Sequence, residues 1–178
     1  MILTSEFCFS LLQNEIDNLN ILLKSVAKNV KIIVYLRRQD DFWLSRYVQT
    51  IKSGSSTEKF CLPEQEDIDR ILDYYSILQR WEKTFGLENI IVRPFEKSQM
   101  FKSDLARDIL ELMGLDYSDR YVQGKHLNKS LDANTMEVVR RLNQFITVTT
   151  GDRRTKATQL LRVAAQDISE GPSYEMSN

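Results

Sequence analysis

Apolar positions along the chain change their period several times, and each change predicts an element. Met1-Ile-Leu-Thr4 is short and apolar and reads as the stub of a strand. Leu12, Ile16, Leu19, Leu23 and Val26 then recur at helical spacing, which predicts an amphipathic helix over about residues 9–28. From Lys31 to Leu36 β-branched residues follow one another without alternation, as in a strand buried on both faces of a parallel sheet. Leu44, Tyr47, Val48 and Ile51 put one stripe on a second helix, which Gly54 and its serines stop.

Residues 55–62 read as a loop. Pro63 with Glu64, Glu66 and Asp67 is a strong helix start, because proline fits the first turn and the acids face the positive end of the dipole. The stripe Ile68, Ile71, Leu72, Tyr75, Leu78, Trp81 and Phe85 carries that helix to Gly86. Asn89 to Val92 forms another short strand, stopped by Arg93-Pro94. Phe101, Leu105, Ile109 and Leu112 mark a helix ending at Gly114, and residues 116–130 are polar and loop-like. Two more helices follow, at about 132–148 and 154–168, and a flexible tail from Ser169. Alternating strands and helices of this kind specify an α/β layered fold with a parallel sheet. It reads as one domain over residues 1–168, with a helix-rich C-terminal half and the tail 169–178. Ligands in such folds sit at the carboxyl ends of the strands.

Composition narrows the function classes. A net charge of −1 gives no global basic field, so nucleic acid is not an expected partner and any anion site must be local. The longest apolar run, IIVYL, is too short to cross a membrane, and the N-terminus has no signal-peptide pattern, so the expectation is a cytoplasmic protein. Cys8 and Cys61 lack metal spacing and read as small buried hydrophobes in a reducing compartment. With His126 the lone histidine, neither a histidine metal site nor a Ser-His-Asp triad has material to build on.

The stretch VYLRRQDDFWLSRY holds the candidate chemistry. If the strand ends at Leu36 and the next helix starts near Gln39–Asp41, Arg37 leaves the strand tip and Ser45 lies one to two turns into the helix. A guanidinium fork, a hydroxyl and a helix N-terminus there would make a phosphate pocket. The alternative is that Arg37 and Arg38 pair with Asp40 and Asp41 on the surface.

VYLRRQDDFWLSRY, then IIVRPFE, a helix ending in MGL, and LNKSL together resemble the sulfotransferase domain over about residues 2–148. The likeness is to bacterial members linked to surface glycans. It implies a P-loop-NTPase-like parallel sheet flanked by helices, and transfer of a sulfuryl group from PAPS to a hydroxyl or amine of a carbohydrate, without a metal. By position, it assigns Arg37 and Ser45 to the 3′-phosphate of PAPS or of its product PAP. Glu6, at a strand-to-helix exit, takes the place of a catalytic base, although Ser5 and Glu6 also suit a helix start. Lys125 and Lys129, with Asn128 and Ser130, form a loop suited to closing over the nucleotide, while Ser130 or Asp132 also suits a helix cap. Arg93 reads as paired with Glu96 or a helix C-terminus, and Trp43 and Trp81 as helix-packing residues.

One part of the pattern is missing. No glycine precedes the first strong strand, so residues 1–30 offer no loop whose amides approach a 5′-phosphosulfate closely. The chain therefore reads as a partial domain lacking the first strand, P-loop and helix, with weak or absent turnover alone and self-association through an exposed sheet edge. Two rivals are a non-catalytic remnant or interaction domain, and a nucleotide or sugar kinase. The kinase would need a magnesium-binding acid at a strand end, and no convincing one follows IIVYL or IIV.

Overall fold

The computed structural model describes residues 2–5, 7–118, 131–150, 156–169 and 171. In chain order its main elements are α1 (Gln13–Val26), β1 (Ile32–Leu36), α2 (Gln39–Lys52), α3 (Gln65–Asp67), α4 (Tyr74–Phe85), β2 (Ile90–Pro94), α5 (Leu105–Leu112), α6 (Ala133–Thr150) and α7 (Lys156–Ile168). The fold is α/β and helix-rich. Among the described residues the sheet has two parallel strands, in a register that runs from Ile32 beside Ile90 to Leu36 beside Pro94. The chain divides into two compact units, residues 1–38 with 63–116 and residues 39–62 with 117–178.

In the first unit, α1 and α4 supply the core. Ile16 and Leu23 lie two turns apart on α1, and Ile77, Trp81 and Phe85 step along α4 at four-residue spacing, so each set shares one helix face. Ile32 and Ile90 bring the sheet against that cluster, and Trp81 stacks on Phe85 with ring centroids 5.7 Å apart. Each such side chain contributes roughly 1.5–3 kcal/mol relative to exposure. Thr84 donates its hydroxyl proton to Asp17 at 2.7 Å and accepts from Gln13 at 2.8 Å, which fixes the α1–α4 register.

Several expectations need correcting here. Residues 2–5 form no strand, and Ile2 and Leu3 are exposed, because an extended apolar segment becomes a strand only where a ladder accepts it. Strand β1 is half-buried rather than buried on both faces, as follows from a pair in which each strand is an edge. The single helix expected from Pro63 to Phe85 is broken. Residues Ile68–Leu72 form a π-helical turn, and Asp73 starts α4 afresh by accepting from the Ser76 amide at 3.1 Å and its hydroxyl at 2.6 Å. The break re-phases the stripe, leaving Tyr75 72% exposed while Tyr74 packs against the core. Strand β2 does not stop at Val92 but runs through Arg93 and Pro94. The expected stops do hold: Gly54, Gly86 and Gly114 have φ of 72°, 82° and 65°.

The second unit is helical. Ile51 of α2, Met136 and Val139 of α6, Ala165 of α7 and the preceding Leu131 make its core. Asp132 caps α6 as expected, accepting from the amides of Asn134 and Thr135, both at 3.0 Å. Its other oxygen accepts from the hydroxyls of Thr135 at 2.7 Å and Ser169 at 2.6 Å, which together hold its carboxyl far below the usual carboxylate range. Ser169, read as the start of a flexible tail, is thus tied into this unit; residues 170 and 172–178 lie outside those described. The 55–62 loop is gathered by Arg140 to Thr57 O at 2.8 Å, Tyr47 to Glu58 O at 3.2 Å and Trp43 to Cys61 O at 2.8 Å. Cys8 is half-buried, but Cys61 is exposed rather than a core residue. Among the described residues no helix is long and apolar enough to cross a membrane.

Candidate functional site

The apolar run of β1 ends at Leu36, and Arg37 follows directly at the carboxyl end of the sheet. Two contacts place it. Its carbonyl accepts from the Tyr74 hydroxyl at 2.9 Å, at the start of α4, and its guanidinium carbon lies 4.8 Å from the centroid of the Phe95 ring. Phe95 is itself positioned by its amide, which donates to Leu36 O at 2.7 Å, and by the edge of Tyr35 at 6.4 Å. Burial pushes the Tyr74 phenol up, and the nearby Arg37 charge partly opposes that shift. Among the described residues Arg37 has no carboxylate partner, so the surface pairing weighed from the sequence is not what holds it. An aromatic face carries the cation while its N–H edges stay available to an anion.

Beside this position lies an ionic knot that the sequence did not disclose. Asp108 of α5 is 2% exposed, and Arg93 grips it with two bonds, Nη2 to Oδ1 at 2.7 Å and Nε to Oδ2 at 3.1 Å. The Tyr35 hydroxyl donates to Oδ2 at 2.6 Å and the Phe101 amide to Oδ1 at 2.7 Å. Arg93 also donates to Gln99 O at 2.9 Å, so the 97–103 turn is strapped down. These donors, with Arg93 foremost, hold the Asp108 carboxyl down at about 2 against desolvation. Burial, followed by the Asp108 bond, pushes the Tyr35 phenol far up. Arg93 was expected to pair with Glu96 or a helix C-terminus; its partner is Asp108 instead. A charged residue among Leu105, Ile109 and Leu112 on an otherwise apolar face was the available signal.

The other expected site residues are placed as follows. Ser45 is an exposed side chain on α2, in the second unit, whereas Arg37 belongs to the first. Glu6, Lys125 and Lys129, together with His126, Asn128 and Ser130, lie outside the described residues. Trp81 is a core residue and Trp43 a half-buried one, in keeping with packing roles. Among the described residues no group of three or more His, Cys, Asp or Glu side chains is placed to hold a metal ion.

No family model matches this chain, and no solved structure does. A curated relative, an uncharacterized protein of Archaeoglobus fulgidus, is 32% identical over 171 residues. The match takes in 95% of this chain and 45% of the relative, so the chain spans slightly under half of that protein's length.

Proposed function

We propose that this chain is part of a PAPS-dependent sulfotransferase domain with a P-loop-like sheet, and that Arg37 binds the 3′-phosphate of the nucleotide. The single observation that carries this reading is the state of Arg37. It sits at the carboxyl tip of a parallel strand, is carried on Phe95, is anchored through its backbone by Tyr74, and lacks a carboxylate partner among the described residues. A half-buried guanidinium left without a counter-charge is a receptor for an anion. By contrast, Arg93 is spent on Asp108 and has no such capacity.

The sequence likeness adds Ser45 as a second donor, Lys125 and Lys129 as loop cations and Glu6 as the base that takes the acceptor's proton. The acceptor would be a hydroxyl or amine of a carbohydrate. Sulfuryl transfer is an in-line displacement, and most of its stabilisation comes from donors around the transferring group. The first glycine here is Gly54, beyond β1, so the residues before that strand offer no glycine-lined cradle for the phosphosulfate. Nucleotide binding with little or no turnover is therefore expected of these residues alone. That missing cradle equally favours a second reading, a nucleotide-binding module without catalysis.

Titration calorimetry with adenosine 3′,5′-bisphosphate tests the shared part. Arg37→Ala is expected to weaken binding at least about tenfold, the loss expected of a charge-assisted hydrogen bond, and Ser45→Ala by about threefold for a neutral one. Equal affinities in wild type and both variants would remove the nucleotide reading. A sulfate-release assay with PAPS then separates the two readings, since a catalytic domain turns over and a binding module does not.

A further inference from the structure

Helix α7 is apolar on two opposite sides. Its inner side carries Leu161 and Ala165, which pack with Ile51, Met136 and Val139 in the core of the second unit. Its outer side carries Leu160 at 72% exposed, Val163 at 53% and Ile168 at 66%, with exposed Ala164 among them. A helix that is apolar all round belongs in an interior, and half of that burial is unmet here. The outer side is also held still. Ala165 is anchored in the core, and Ser169, directly after the helix, donates to Asp132 at 2.6 Å. A surface on a fixed element loses little freedom when something covers it.

The spacing says what covers it. Positions 156, 160, 163 and 167 of the helix advance by four, three and four residues, the step of a coiled-coil seam. They read Lys, Leu, Val and Asp, with apolar residues in the middle and opposite charges at the two ends. Such a row complements itself in one direction only. Two copies laid antiparallel about a two-fold axis set Leu160 against Val163 twice, and position 156, lysine, against position 167, aspartate, twice. Laid parallel, the same row sets lysine on lysine and aspartate on aspartate. A net charge of −1 leaves little long-range repulsion between copies. The edge of β1 is less suited to self-pairing, because an antiparallel match centred on Val34 sets Lys31 against Arg37.

We propose that the outer face of α7 is a contact between two copies of this chain, paired antiparallel through Leu160 and Val163, with the opposite charges of positions 156 and 167 meeting at each end. The contact is independent of the nucleotide reading. A helix of 13 residues covers less than a standard interface, so the association is weak and shows only at high concentration.

Sedimentation velocity of the whole chain from about 10 μM to about 1 mM tests this, a range that brackets weak association. The sedimentation coefficient is expected to rise with concentration towards that of a dimer. Val163→Glu should weaken the association at least about tenfold, because it buries a carboxylate against Leu160. Lys156→Glu and Asp167→Lys each bring like charges together at both ends and should weaken it about threefold, while the double swap Lys156→Glu with Asp167→Lys should restore it. Val163 and Asp167 are exposed, so their variants keep the fold. An association that Val163→Glu leaves intact, or a double swap no tighter than the single reversals, would overturn the proposal. A monomer at every concentration would also overturn it and leave the face to a different chain.

Discussion

Among the described residues each unit buries one carboxylate, and the two are satisfied in opposite ways. Asp108 answers an opposite charge and joins parts far apart in the chain, reaching Tyr35 across 73 positions and Arg93 across 15. Asp132 answers neutral donors at the start of its own helix, with Ser169, 37 positions on, as the one distant contributor. The first arrangement holds tertiary structure, because strand, turn and helix all converge on one side chain. The second chiefly holds secondary structure. A buried charge that depends on another charge is costly to orphan, whereas a cap that fails exposes amides that water can reach.

The sharpest way to break this contrast is Asp108→Ala. It strands Arg93, the Tyr35 hydroxyl and the Phe101 amide, and should cost about 3 kcal/mol, the low end for a broken buried pair since Arg93 retains some solvent. Each unit has its own tryptophan, Trp81 in the first and Trp43 in the second. Fluorotryptophan resonances followed through urea denaturation should show the Trp81 transition moving and the Trp43 transition holding. Movement of both together would erase the distinction. Asp132→Ala is expected to give the smaller, reciprocal effect, confined to the Trp43 signal.

Acid sharpens the same comparison. The folded state holds Asp108 at about 2 against 3.8 for the free side chain, so the unfolded chain takes up its proton first as pH falls. The stabilisation is complete above about pH 5 and is lost progressively from about pH 4 towards 2, the linkage expected of a depressed carboxylate. Glu137, pulled to about 2 by the Arg140 and Arg141 pairs, contributes with the same sign. Because Glu137 and Arg141 are solvent-accessible, about 0.5 M salt should flatten its share of the acid slope and leave that of Asp108 largely intact. The slope of the Trp81 transition should shrink in Asp108→Asn without vanishing, because hydrogen bonds also hold down Asp17 and Asp73 in that unit; an unchanged slope would assign it elsewhere.

Smaller effects test the details. Tyr35→Phe removes one bond to a charged oxygen and should cost about 1.5 kcal/mol. Lys102, at φ 51° and ψ 29° in the turn before α5, adopts a conformation that glycine tolerates better. Lys102→Gly should therefore raise stability by at most about 1 kcal/mol, less the added freedom of the unfolded chain. A loss on that substitution would show the turn is held by the lysine contact with Phe101 rather than in spite of its backbone.

The sequence by itself determined what depends on near neighbours. Apolar period set α1, β1 and α2, glycines with positive φ set the stops, and Asp132 announced its cap, because each is decided within a turn or two of helix or strand. It also placed Arg37 at a strand tip. Only the tertiary structure decided what Arg37 rests on, that Arg93 belongs to Asp108, and that Ile2 and Leu3 join no sheet. Those outcomes are choices among distant partners, and a linear pattern carries the demand of a buried charge or an open ladder without naming the group that meets it.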